Sequence, residues 1–95
     1  MSDKYNHPGG KLRRLGPATC TESELLAIVL HTGSKGRTAL DIAHDIIDEF
    51  GTFYDLQGKT LADIMEIKGV GAVKATQIAA VFELCQRVIN EKGRR

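Results

Sequence analysis

Residues 61–84 read LADIMEIKGVGAVKATQIAAVFEL, two apolar helical patterns joined at a turn that holds Gly69 and Gly71. On both sides of the joint, apolar residues recur three and four positions apart, which is the spacing of a helix with one buried face. Thr60 can cap the first helix, and the second is expected to run to about residue 90. Its predicted buried stripe is Ala75, Ile78, Phe82, Cys85 and Ile89. The stretch therefore predicts a helix–turn–helix.

Two more helices are predicted upstream of this joint. Thr21 and Glu24 have the spacing of a capping box, which starts a helix over about residues 22–31. Residues 38–50 form a second pattern that ends before Gly51, with acidic side chains on the face opposite its apolar stripe. That stripe is predicted to hold Ala39, Ala43, Ile46 and Phe50, beside Leu40 and Ile47. Since no segment alternates as a strand does, the sequence predicts an all-α, compact bundle of about five helices.

The chain also resembles itself at a shift of 35 positions. The shift places Gly36 on Gly71 and keeps much of the apolar frame, with Leu26 on Leu61 and Ala43 on Ile78. Two related units are expected, a degenerate one over residues 22–50 and a well-formed one over 60–90, within a single domain spanning 1–95. Residues 1–8 are expected to be disordered. The alternative is chance similarity between amphipathic helices.

Composition excludes several classes of function. The net charge is only +1, divided as +3 over residues 1–20, −4 over 21–59 and +2 over 60–95, so a polyanion would need a local basic face. The two cysteines form no CxxC pair and the three histidines are isolated in sequence. We therefore expect no metal site, no cofactor and no catalytic residues, hence no enzyme. No apolar run is long enough for a membrane span, and a cytoplasmic protein is expected.

The second glycine turn has a charge pattern that points to an external anion. The helix that follows it opens with GAVKA, which has no acid and carries Lys74 where the helix dipole disfavours a cation. Gly69 and Gly71 let the backbone approach an anion, and Lys68 adds a second cation. The first turn repeats this pattern more weakly, through Ser34, Lys35, Gly36 and Arg37. The alternative reading is that the glycines serve only the joint itself.

Residues 61–84 resemble the helix-hairpin-helix motif, with its Gly-apolar-Gly turn and an alanine four positions on. That resemblance implies binding of DNA phosphates through the backbone amides of Gly69, Val70 and Gly71, with Lys68 and Lys74 in support. A longer stretch, from KLRRLGPATCTESELLAIVLHTGSKG onward, is similar to the N-terminal domain of the bacterial RadC family, over roughly residues 7–90. The family has been linked to DNA repair. Its members normally continue into a JAMM, or MPN, metallopeptidase-like domain with a His-x-His, a pattern that residues 1–95 do not contain.

Together these features predict a non-catalytic module that binds DNA irrespective of sequence. The predicted contact is the phosphate backbone, held at the second turn and more weakly at the first. The alternative function is a protein-interaction module that docks a partner, or the metallopeptidase-like domain, on its acidic helix or an apolar groove.

Overall fold

The computed structural model describes residues 7–93, and within them all regular structure is helical. The six α-helices are α1 (Pro8–Leu15), α2 (Glu22–Leu30), α3 (Ala39–Phe50), α4 (Phe53–Leu56), α5 (Leu61–Met65) and α6 (Ala72–Gly93), with a 3₁₀ turn at Pro17–Thr19. In this part of the chain there is no strand, only an isolated bridge between Ser34 and Arg37. The predicted all-α fold is confirmed. The short helices α1 and α4 were not predicted.

Threonine caps start four of these helices. In each, the threonine side chain accepts a hydrogen bond from the amide three residues on, and the acid at that position accepts one from the threonine amide. The four pairs are Thr21–Glu24, Thr38–Asp41, Thr52–Asp55 and Thr60–Asp63. A cap of this kind is worth about 0.5–2 kcal/mol. The predicted capping box of Thr21 and the predicted cap at Thr60 are confirmed. α4 has the same signal, which sequence reasoning overlooked.

One hydrophobic core joins the two predicted units. Its fully buried members come from α2 to α6: Leu26, Ala27, Leu30, Ile42, Ala43, Ile46, Leu56, Ile64, Val70, Ala75 and Ile78. Ile42 has no solvent exposure, although the predicted stripe of α3 omitted it. Phe53 stacks on Phe82 with ring centroids 4.7 Å apart, which fixes α4 against α6. The two predicted units therefore share one core within the described residues.

The second half of α6 departs from the prediction. Ala75 and Ile78 are buried and Phe82 is half-buried, as the predicted stripe requires. Cys85 and Ile89 continue that stripe but are exposed, Ile89 to 62%. The prediction fails there because the helix extends past the elements of the described chain that cover its first half.

The start of the chain also differs from expectation. Of residues 1–8, predicted to be disordered, 1–6 lie outside the described range. His7 instead caps α1 by accepting a hydrogen bond from the Gly9 amide, and Pro8 is buried as the first helical residue. Lys11 joins α1 to α2 through a salt bridge of 3.0 Å to Glu24. The Thr21 amide, followed by the Lys11 ammonium, lowers the pKa of Glu24 below its ordinary value.

The register predicted for the internal repeat differs from the one in the structure. Gly36 and Gly69 are the glycines with left-handed backbone at the two turns, with φ of +79° and +92°. The following helices start at Ala39 and Ala72. Both pairs are 33 positions apart, so the predicted shift of 35, which matched Gly36 with Gly71, is wrong at the turns. The shift of 35 does align the ends of the helices before the turns, α2 and α5. It fails after them because the connection from α5 to α6 is two residues shorter than the connection from α2 to α3.

Candidate nucleic-acid interface

The second hairpin connects α5 to α6 through residues 66–71. Gly69 takes the left-handed conformation, and a Cβ built on it would lie 3.1 Å from Ile42 Cδ1, so this position requires glycine. The next residue, Val70, is only 5% exposed and anchors the turn in the core. Its amide donates to the Ile67 carbonyl at 3.0 Å. Val70 is therefore not a free phosphate donor, and the prediction that its amide binds phosphate is corrected on this point.

α6 differs from the other α-helices of the described chain at its start. α1 to α5 each begin with a side chain that accepts a hydrogen bond from a first-turn amide. α6 is preceded by Gly71, which has no side chain, and its first turn contains no acid. Within residues 7–93, the amides of Gly71, Ala72 and Val73 have no acceptor; the first bond of the helix runs from Ala75 to the Gly71 carbonyl, at 3.0 Å. These amides leave partial positive charge exposed to solvent.

The first hairpin is a tight turn between α2 and α3. Ser34 and Arg37 exchange two backbone hydrogen bonds, of 3.1 and 3.0 Å, across Lys35 and the left-handed Gly36. A Cβ on Gly33 would lie 2.0 Å from the Arg37 carbonyl oxygen, so the chain can close here only with glycine. The amides of Ser34 and Arg37 are used within the turn, in contrast to the open amides of α6. Lys35 lies exposed at the tip.

The two hairpins lie against each other. The Cβ position of Gly69 is 3.0 Å from Ser34 Oγ, which puts the backbone of one turn in contact with a side chain of the other. Lys74 Nζ, on the first turn of α6, donates to Thr32 Oγ1 at 3.5 Å. Lys74 is thus drawn towards the first hairpin. Sequence reasoning did not single out Thr32, and only its proximity in the fold reveals it.

The predicted phosphate-binding cations differ in whether they are already paired with an acid of the described chain. Lys35 and Lys68 are exposed, and Lys74 is half-buried between the hairpins. Arg37 is committed to α3, where its guanidinium pairs with Asp45 and donates to the Asp41 carbonyl at 3.2 Å. The expectation that Arg37 is available to an external anion is therefore corrected.

Acidic side chains border one side of the hairpins. Asp45, Asp48, Glu49 and Glu66 line a shallow depression together with Lys68. We call these four acids the acidic ridge. The Thr38 amide and hydroxyl lower the pKa of the neighbouring Asp41. These acids disfavour a polyanion on the α3 side of the hairpins.

The described residues form neither a metal-binding cluster nor a membrane-spanning helix. Within them no three His, Cys, Asp or Glu side chains are grouped closely enough to hold a metal ion. None of the helices in that range has the length and apolar character needed to cross a bilayer.

Comparison with known proteins gives the family. A family model described as UPF0758 N-terminal matches residues 2–76. The chain belongs to the UPF0758 family. It is 36% identical over 88 residues to a UPF0758 protein of Bordetella petrii and 40% identical over 87 residues to one of Aliivibrio salmonicida. These matches cover 93% and 92% of this chain.

The chain spans about 39% of the length of these curated relatives. Membership agrees with the predicted resemblance to the N-terminal part of a RadC-like protein. No solved structure matches the chain.

Proposed function

We propose that this domain binds DNA through the phosphate backbone, without reading base sequence, at the start of α6. The observation that carries the proposal is the uncapped end of that helix. Four helices of this chain are capped by a threonine and an acid, yet α6 leaves the amides of Gly71, Ala72 and Val73 open beside Lys74. An anion with several acceptor oxygens satisfies these donors and the helix dipole together.

The proposed phosphate contact differs from the one that the resemblance to the helix-hairpin-helix motif implies. Gly69 shapes the turn and Val70 anchors it, so the donors are shifted to the first residues of the helix. Lys68 and Lys74 flank this end, and Lys35 supplies a cation at the neighbouring hairpin for a second phosphate. Ser34 and Gly36 give that hairpin its contact with Gly69 and its shape.

Two phosphate contacts set the expected strength of binding. Each neutralised phosphate of a duplex contributes a slope of about −0.9 to the plot of log K against log salt, so we expect a slope of about −2. Sequence-independent binding of this type has a Kd of about 10⁻⁴ to 10⁻⁶ M. Because the net charge is +1 and the acidic ridge is close, we expect affinity at the weak end of that range.

The test is an NMR titration of the ¹⁵N-labelled chain with duplex, forked and single-stranded DNA at two salt concentrations. Shifts are expected at Lys68 and at residues 71–74, fading as salt rises. The double change Lys68→Glu and Lys74→Glu should abolish them. Lys92→Glu, a matched change on the last turn of α6, should leave them intact. Absence of shifts with all three DNAs at low salt would refute the proposal.

A second candidate function, docking of a partner protein, is favoured by the acidic ridge. Four carboxylates around Lys68 disfavour a polyanion on that side and suit a basic protein surface. The metallopeptidase-like domain of RadC-like proteins is one candidate partner. Neutralising Asp48 and Glu49 to Asn and Gln distinguishes the two functions, because it should strengthen binding of DNA and weaken binding of a basic partner.

A further inference from the structure

The last three turns of α6 carry an apolar stripe that nothing in the described chain covers. Leu84, Val88 and Ile89 are 63%, 67% and 62% exposed, and Cys85 between them is exposed as well. Spacings of one, three and four residues place them on one side of the helix. Single apolar residues on a surface are ordinary, whereas a contiguous apolar group is a feature of interaction sites. We call these four residues the α6 stripe.

The opposite face of this part of α6 is polar and exposed to solvent. Arg87 pairs with Glu83 at 2.9 Å, and Gln86 donates to Asn90 at 3.5 Å, both with the i, i+4 spacing that supports an exposed helical face. Val88 and Ile89 are β-branched and lower the intrinsic helix propensity of the stripe. A segment with this division of polar and apolar residues gains stability when its apolar side is packed against a partner.

The lengths of the family members indicate what that partner is. The N-terminal family model ends at residue 76, whereas α6 continues unbroken to Gly93. The match takes up only 39–40% of each of three relatives, so most of each polypeptide lies outside it. The α6 stripe thus lies beyond the family's N-terminal unit, on a helix that is continuous with it.

The size of the stripe argues for a partner in the same polypeptide. A stable complex between separate molecules buries about 1,200–2,000 Å². Four side chains within six residues fall well short of that, which disfavours a dimer held by the stripe alone. A covalently linked partner needs less, because its effective concentration reaches the millimolar range. We infer that the α6 stripe is the docking surface for the remainder of a UPF0758 polypeptide, which contacts it through an apolar surface of its own. This inference is independent of DNA binding.

The two cysteines of the chain provide the test. Cys85 lies in the stripe, and Cys20 lies in the loop before α2, where it serves as an internal reference. Residues 1–95 would be joined to the part of the Bordetella petrii relative that follows its matched region. The rate at which maleimide labels Cys20 and Cys85 would then be measured in this fusion and in the 95-residue chain.

In the fusion, labelling of Cys85 should be at least tenfold slower than in the 95-residue chain, while labelling of Cys20 stays unchanged. The double change Leu84→Glu and Val88→Glu in the fusion should restore fast labelling of Cys85. Equal labelling of Cys85 in both proteins would overturn the inference. Protection of Cys85 in the 95-residue chain that rises with concentration would also overturn it, in favour of a second copy.

A second measurement covers the case in which the fusion fails to fold. Hydrogen exchange would be followed in the natural, full-length Bordetella petrii relative, over the segment that aligns with residues 84–88, and in the same residues of this chain. The inference requires that segment to be at least a hundredfold better protected in the relative. The segment aligned with the buried Ala75 and Ile78 should be protected in both proteins and serves as the reference. Equally fast exchange of residues 84–88 in both proteins would overturn the inference.

Discussion

Replacing Gly71 with aspartate should stabilise the domain and weaken its binding to DNA. Gly71 immediately precedes α6, its φ is outside the left-handed region, and a Cβ built on it meets nothing within 4 Å. An aspartate therefore fits without strain. Its carboxylate can accept hydrogen bonds from the first-turn amides that lack an acceptor in the described chain, and it occupies the place proposed for a phosphate.

The stability gain has two parts. An N-cap aspartate exceeds glycine by a few tenths of a kcal/mol, and its charge at the helix start adds about 0.3–1 kcal/mol. A total of about 0.5–1 kcal/mol raises the melting temperature of a domain this size by roughly 2–8 °C. In DNA binding, the carboxylate competes for the amides and repels the phosphate, so Kd should rise at least tenfold.

The assays are thermal unfolding followed by circular dichroism and a DNA titration at low salt. Gly71→Ala is the matched control: it offers no acceptor, and its weaker capping is offset by reduced freedom of the unfolded chain, so stability should stay within about 0.5 kcal/mol. DNA affinity of this control should stay within twofold. If Gly71→Asp stabilises the domain yet binds DNA as well as Gly71→Ala, the phosphate does not lie at the start of α6 and the reasoning is refuted.

Three further predictions follow from the same contacts. Gly69→Ala should lower the free energy of unfolding by about 1–3 kcal/mol in urea titrations, because its left-handed backbone disfavours a Cβ; an unchanged midpoint would contradict the assigned turn. The lowered pKa of Asp41 adds stability that is complete above its ordinary value of 3.8 and is lost as pH falls below it; Thr38→Ala should reduce this acid-dependent loss, measured by unfolding at pH 2–6. Asp45→Asn should release Arg37 and strengthen DNA binding about two- to threefold in the same titration, and weaker binding would contradict the assigned ion pair.

Local signals in the sequence predicted most of the fold. Thr21 with Glu24 marked the start of α2, and Gly51 marked the end of α3, because capping depends on residues within one turn of each other. Thr52 with Asp55 carries the same information for α4, but a helix of four residues is too short to show helical periodicity in sequence. The buried stripe of α6 failed beyond Phe82, since periodicity reports which side of a helix is apolar and not whether anything covers it.

The site was less accessible to sequence reasoning. A glycine turn followed by a cation in the first turn of a helix located the start of α6. This pattern does not show which amides of the turn are already hydrogen-bonded within the chain. Whether Val70 donates to Ile67 or to an external group is decided by three-dimensional closure of the turn. The pairing of Arg37 with Asp45 and the approach of Lys74 to Thr32 depend on how the hairpins pack, which no local pattern contains.

The acidic ridge and the open start of α6 together constrain how a nucleic acid would lie. With a net charge of +1, the domain has little long-range attraction for a polyanion, so binding must arise from short-range contacts. Lys68 lies beside Asp48 and Glu49, so a strand that ran along α3 would meet repulsion over its whole length. In the proposed mode, a strand would instead contact the open amides at the start of α6 and the cation of Lys35. The proposed footprint of two phosphates would be enough to orient DNA and too little to hold it tightly. Tight binding would have to draw on further contacts beyond this domain.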